Sequence, residues 1–162
     1  MNEVKRWHIA VIVFFYFMSI SMTALYTRMP EMKELLGVNS SELGFVLLAG
    51  AAGSMVTLTI SGRLISRFGT KPLIATAFSF ALLAMVGMAL AAVNKSVLFF
   101  VISLFFTFAG AALTDVSINV DGSQVEQKLQ RSVMPRMHAF FSLGAFSGAG
   151  LATLALALNI DL

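Results

Sequence analysis

Few side chains in this sequence can do chemistry, and two of them stand one helical turn apart inside an apolar run. The stretch "FTFAGAALTDVSINVDG", residues 106–122, carries Asp115 and Asn119. Residues four apart share a helix face, so carboxyl and amide point the same way, and Ala111 keeps that face narrow. A carboxylate in mid-membrane costs on the order of 3 kcal/mol. It demands a partner, a water-filled cavity or a proton. Desolvation disfavours the charged form of a carboxyl group, and a group that gains a proton from one side and loses it to the other is what a proton-coupled carrier needs. A competing reading ends the apolar run at Leu113 and leaves Asp115 hydrated at a helix end. Val116, Ile118 and Val120 extend the apolar character and favour the membrane reading.

Other chemistry is sparse. Cysteine is absent, and the two histidines, His8 and His138, are far apart in sequence. No metal-ligand spacing, cofactor motif, paired carboxylates or Ser/His/Asp set is present, which sets an enzyme aside as the weakest rival. His138 and Ser142 belong to the last apolar run. His138 reads either as a relay toward Asp115 or as a plain interfacial histidine. Ser19, Ser21 and Thr23 either line a cavity or bond back to their own helix.

The elements that must hold these groups follow from composition. Of 162 residues, 58% are hydrophobic and 12% charged, with mean hydropathy +0.87. A soluble domain carries about 25% charged residues, so lipid is the main solvent. The net charge of +3 is modest, and no interleaved basic and aromatic surface suggests nucleic acid. A membrane helix needs about 20 apolar residues. Five runs qualify, near residues 7–26, 43–61, 73–93, 96–120 and 135–158. Counting from Ser96 places Asp115 about 28 Å along its helix at 1.5 Å per residue, in the inner half of the bilayer. The other acids, Glu3, Glu31, Glu34, Glu42, Glu126 and Asp161, fall in expected loops or tails, with Asp121 at the inner edge of span four.

The basic residues set the orientation. With a cytoplasmic N-terminus, the inner segments hold Lys5, Arg6, Arg63, Arg67, Lys71, Lys128, Arg131 and Arg136; the outer ones hold Arg28, Lys33 and Lys95. Lys5 and Arg6 before an apolar run also fit a signal peptide, but the run is long and lacks a clear cleavage site. Trp7 and Tyr26 bracket span one as interfacial anchors. Ser132 before Pro135 reads as a helix start for span five.

Small residues mark where membrane helices touch. Gly144 and Gly148 in span five, Gly50–Ser54 in span two and Ala109–Ala112 in span four predict protein-facing helices. Span three, richer in Leu, Met and Phe, is expected to be peripheral. The methionines and phenylalanines read as packing and lipid contact. Five spans is an odd count with no internal repeat, so the chain reads as part of something larger.

Between spans two and three stands "GRLISRFGTKPL", residues 62–73. It resembles the loop signature of the major facilitator superfamily, with Gly62, Arg67, Gly69 and Lys71 on the matching positions. Ser66 stands where that family usually has Asp, and Thr70 where it often has Arg. "LTDVSINVDG … RMHAFFSLGAFSGA" is similar to helices four and five of the fucose–proton symporter branch and its uncharacterised bacterial relatives. Asp115 and Asn119 fall on that branch's acid and Asn, and His138 and Ser142 in the polar part of its helix five. That branch also uses a carboxylate in its first helix; span one here has Tyr16, Ser19 and Thr23 but no acid, so the resemblance does not carry a sugar substrate over.

The resemblance, about residues 7–158, implies an all-α membrane protein: five transmembrane helices, part of an N-terminal six-helix major-facilitator bundle. It implies proton-coupled symport of a small solute across a multi-pass membrane, a bacterial inner membrane in this reading. Asp115 and Asn119 would take proton and substrate. The loop residues would latch helix ends in one state, with the latch weakened by Ser66. The missing half would come from further sequence or a second chain. The alternative is a truncated, non-transporting membrane protein or an interaction subunit.

Overall fold

The computed structural model describes residues 3–160, and every regular element among them is a helix. The helices are α1 (Glu3–Leu36), α2 (Ser40–Phe68), α3 (Thr70–Val93), α4 (Val97–Leu129) and α5 (Met134–Ala157). All five are long and apolar enough to cross a membrane. Each grows out of one predicted apolar run, but helix and span are different quantities. Burial in lipid ends with the apolar residues; the helix continues while hydrogen bonds and caps support it. Glu31 and Glu34 thus lie on the last turns of α1, and Glu126 lies on α4, not in loops. Asp161 lies outside the described residues.

The junctions show why helices stop where they do. Asn39 begins α2 with a reciprocal cap: its Oδ1 accepts from the Ser41 and Glu42 N–H groups at 2.9 and 3.0 Å, and Glu42 Oε2 accepts from the Asn39 N–H at 2.7 Å. This satisfies donors that a helix start leaves open. Gly69 alone separates α2 from α3, at φ 78° and ψ 165°, backbone that only glycine adopts without strain. At α5 the expected Ser132 start is replaced. Val133 is the first boundary residue, and Glu126 reaches across from α4 to accept from the Val133 and Met134 N–H groups at 2.7 and 2.9 Å. A carboxylate there also suits the positive end of the helix dipole better than a hydroxyl.

Among the described residues the helices pack as two units. One joins residues up to Thr27 with those from Ser117 onward; the other is Arg28–Val116. In the first, α5 lays Gly144 and Gly148 on α1. A side-chain carbon at Gly144 would collide with the Tyr16 carbonyl oxygen, and one at Gly148 would lie 2.5 Å from that of Ile20. The Tyr16 hydroxyl donates to Ser147 Oγ at 3.1 Å across the same seam. Phe15, Ile118, Val125 and Met137 form the dry core.

In the second unit α4 is the central partner. Gly53 of α2 lies against the Phe105 carbonyl and Gly50 against the Phe108 ring. Gly110 of α4 fits over Ala77 and Ala81 of α3, and the Thr107 hydroxyl reaches Met88 Sδ at 3.4 Å. Span three is therefore not peripheral. Its apolar stretch is as buried as that of α1 and more than those of α2 and α5. The contact stripe is alanine and methionine (Ala77, Ala81, Met88, Ala91, Ala92), small and flexible groups that interdigitate without glycine. Large apolar side chains such as Phe45, Leu83, Leu98 and Phe146 project outward, each more than 70% exposed. Water would oppose that surface and lipid accepts it.

Candidate functional site

α4 is unbroken from Val97 to Leu129, so Asp115 lies within a helix and not at its end. Asp115 is exposed on α4, beside the fully buried Thr114, whose hydroxyl folds back on the Gly110 carbonyl at 2.8 Å. Asn119, one turn further on, is half-exposed.

His138 and Ser142 are neighbours on α5 and both exposed. The His138 ring stands edge-on to Phe15 of α1, centroids 5.3 Å apart. The Ser142 hydroxyl bonds back to the His138 carbonyl at 3.2 Å, so in this state it is occupied by its own helix. The hydroxyls of span one divide. Ser21 bonds back to Phe17 at 2.9 Å, whereas Ser19 is buried with no hydrogen-bond partner among the described residues.

The loop motif occupies one helix end and the joint after it. Gly62 is exposed, with nothing within 4 Å of where a side chain would begin. Arg67 lies over the Phe68 ring at 5.3 Å. Ser66, in the position where a carboxylate would face a basic partner, turns its hydroxyl onto the Arg63 carbonyl at 2.9 Å. Lys71 is exposed at the start of α3.

One polar group escaped the sequence reading. Asp121, assigned to the membrane edge, is only 2% exposed and accepts from the Trp7 indole N–H at 2.6 Å. The Lys128 ammonium lies 5.0 Å from the Trp7 ring centroid. The signal was present: the single tryptophan opens span one, and Asp121 closes span four at the same end of antiparallel helices. A carboxylate directly after the last apolar residue reads only as the edge of its span, because spacing does not report which helix faces it.

Two of the apolar recesses on the described surface lie between helices. One of about 500 Å³ lies between α3 and α4, lined by Thr76, Ala77, Phe80, Phe106, Gly110 and Leu113. The other, about 180 Å³, lies between α1 and α5 beside Tyr16 and Phe140. Thr76 gives its hydroxyl to the Pro72 carbonyl at 2.8 Å, so the larger recess offers shape and little polar recognition.

Comparisons with known proteins converge. The model of the Major Facilitator Superfamily matches residues 2–153. An uncharacterised MFS-type transporter of Yersinia pestis is 28% identical over 84% of this chain and 35% of its own length. An uncharacterised transporter of Sinorhizobium fredii is 28% identical over 76% of this chain and 32% of its own. The membrane protein MosC of Rhizobium meliloti is 25% identical over 91% and 36%. The chain thus spans about a third of the length of these relatives. No solved structure gives a significant match. Helices long and apolar enough to cross a membrane, the motif between α2 and α3, and a family match over nearly the whole sequence lead to one conclusion: this chain belongs to the major facilitator superfamily of membrane transporters.

Proposed function

We propose that the chain is the N-terminal part of a proton-coupled secondary transporter of a small solute, a symporter in a bacterial inner membrane with its N-terminus in the cytoplasm. Asp115 exchanges the proton, and Asn119 orients the carboxyl or binds substrate from the same helix face. His138 and Ser142 are further polar groups available to proton or substrate. The observation that carries this reading is the placement of Asp115. It is exposed part-way along a long apolar helix, where an ionised carboxylate is costly and taking up a proton lowers that cost. Gly62, Arg67, Gly69 and Lys71 form the latch at the inner ends of α2 and α3. Family transporters work by rocking one repeat against another around a central site. The rest of that pathway is supplied by further sequence or a second chain.

The test is proton-linked uptake by the full reading frame, wild type against Asp115→Asn, over a panel of sugars and small metabolites. The variant should still exchange substrate but lose its response to an imposed proton gradient. Normal coupling in the variant removes Asp115 from the mechanism. Vesicles containing only the 162-residue polypeptide should show no flux, and robust uptake there would establish that one chain suffices.

A further inference from the structure

We propose that the basic end of the first packing unit binds the phosphate headgroup of an anionic phospholipid, held by Arg131 and Arg136 with Lys128 beside them. Three cations flank the turn between α4 and α5. Lys128 lies over the Trp7 ring at 5.0 Å, Arg131 stands in the short turn between α4 and α5, and Arg136 lies in the first turn of α5 over the Phe140 ring at 6.0 Å. Lys5 and Arg6 extend the same end.

The carboxylates in this region do not neutralise the arginines. Asp121 is buried against the Trp7 indole, and Glu126 caps α5 through the Val133 and Met134 N–H groups. Among the described residues neither Arg131 nor Arg136 makes an ion pair, although both are exposed. Arg28 shows the contrast: it holds Glu31 through two nitrogens at 2.7 and 2.9 Å. Arg136 also sits in the first turn of α5, which contains no acid. A membrane protein meets one anion at high local concentration exactly where its helices leave the hydrocarbon: the lipid phosphate. Juxtamembrane lysines and arginines are drawn to such lipids, each contributing about fivefold in affinity.

Trp7 is the only tryptophan and lies within the cluster, so its fluorescence reports occupancy. The chain is reconstituted in unbrominated phosphatidylcholine vesicles with rising fractions of brominated phosphatidylglycerol, and in the reverse pairing, and quenching of Trp7 gives the relative affinity. Phosphatidylglycerol should bind several-fold better than phosphatidylcholine. Arg131→Gln/Arg136→Gln should bring the ratio close to one, and Arg131→Lys/Arg136→Lys should restore most of it, which separates lost charge from lost fold. Arg63→Gln, a basic residue of the other unit, should leave the ratio unchanged. Equal quenching by both lipids overturns the proposal. So does an Arg63→Gln effect as large as that of the pair, which would indicate diffuse surface attraction. Full competition by excess inorganic phosphate would also overturn it, assigning the site to a soluble anion.

Discussion

The seam between α5 and α1 can be tested by adding a single methyl group. At Gly148, a Cβ would lie 2.5 Å from the Ile20 carbonyl oxygen, 3.0 Å from its Cα and 3.1 Å from its carbonyl carbon. All three are backbone atoms, so no side chain can swing away. Reaching the ordinary contact distance of 3.4 Å requires the helices to part by about 0.9 Å. A gap of that size forfeits a quarter to a half of each neighbouring dispersion contact, in a setting where packing is the main force between helices. Overpacking of this kind costs about 1–3 kcal/mol. Alanine also has a higher helix propensity than glycine, by about 1 kcal/mol, which masks part of the loss. Gly150→Ala cancels that gain: it is exposed on the same helix, with nothing within 4 Å. Reversible denaturation of both variants in the same detergent or nanodisc should place Gly148→Ala below Gly150→Ala by about 1–3 kcal/mol, the overpacking cost with the shared propensity gain removed. Equal stability of the two variants would refute the close approach and the packing account built on it.

Other substitutions probe the junctions. Trp7→Phe keeps most of the apolar contact but removes the indole N–H that donates to buried Asp121; loss of that hydrogen bond should cost about 1 kcal/mol in unfolding experiments. Gly69→Ala should destabilise by about 1–3 kcal/mol from the positive φ alone, while Gly62→Ala, inside α2 with open space around it, should stabilise by about 1 kcal/mol, so any loss of transport it causes would lie in the conformational cycle. The Glu126 carboxyl is held below its ordinary value of 4.5 by the Met134 and then the Val133 N–H groups. Its capping contribution should be fully present above that value and fade as pH falls through the lowered one. Hydrogen exchange of the first turn of α5 should therefore accelerate in acid, and Glu126→Gln should flatten that dependence.

How much the sequence disclosed varies with the kind of force involved. Apolar runs of twenty residues announce themselves, because lipid acts on each side chain separately; Leu83 needs no partner to be read as membrane-facing. The glycines of α2 and α5 were legible for a similar reason, since Gly53, Gly144 and Gly148 are useful only where another backbone comes close. Alanine carries no such mark. Ala77 and Ala81 look like filler in a Leu- and Met-rich helix until Gly110 is placed over them, which is why α3 was expected at the periphery. Polar pairing was the least visible. Ser132 is a sound start signal on its own segment, but a carboxylate from the preceding helix took the role. Asp121 was legible only as the inner edge of span four, because its indole partner lies 114 residues away in sequence. The position of Asp115 within its helix was legible from the apolar residues that follow it; its exposure was not, because that depends on neighbours in space.

The one-residue joint at Gly69 has a mechanical corollary. With no slack between them, α2 and α3 cannot slide past each other or turn independently at that end. Any swing of one must be taken up by a single pair of backbone torsions or handed to the other. The two helices then act as the arms of a bracket pinned at its corner, and the cations on either side, Arg67 and Lys71, ride on separate arms about a fixed pivot.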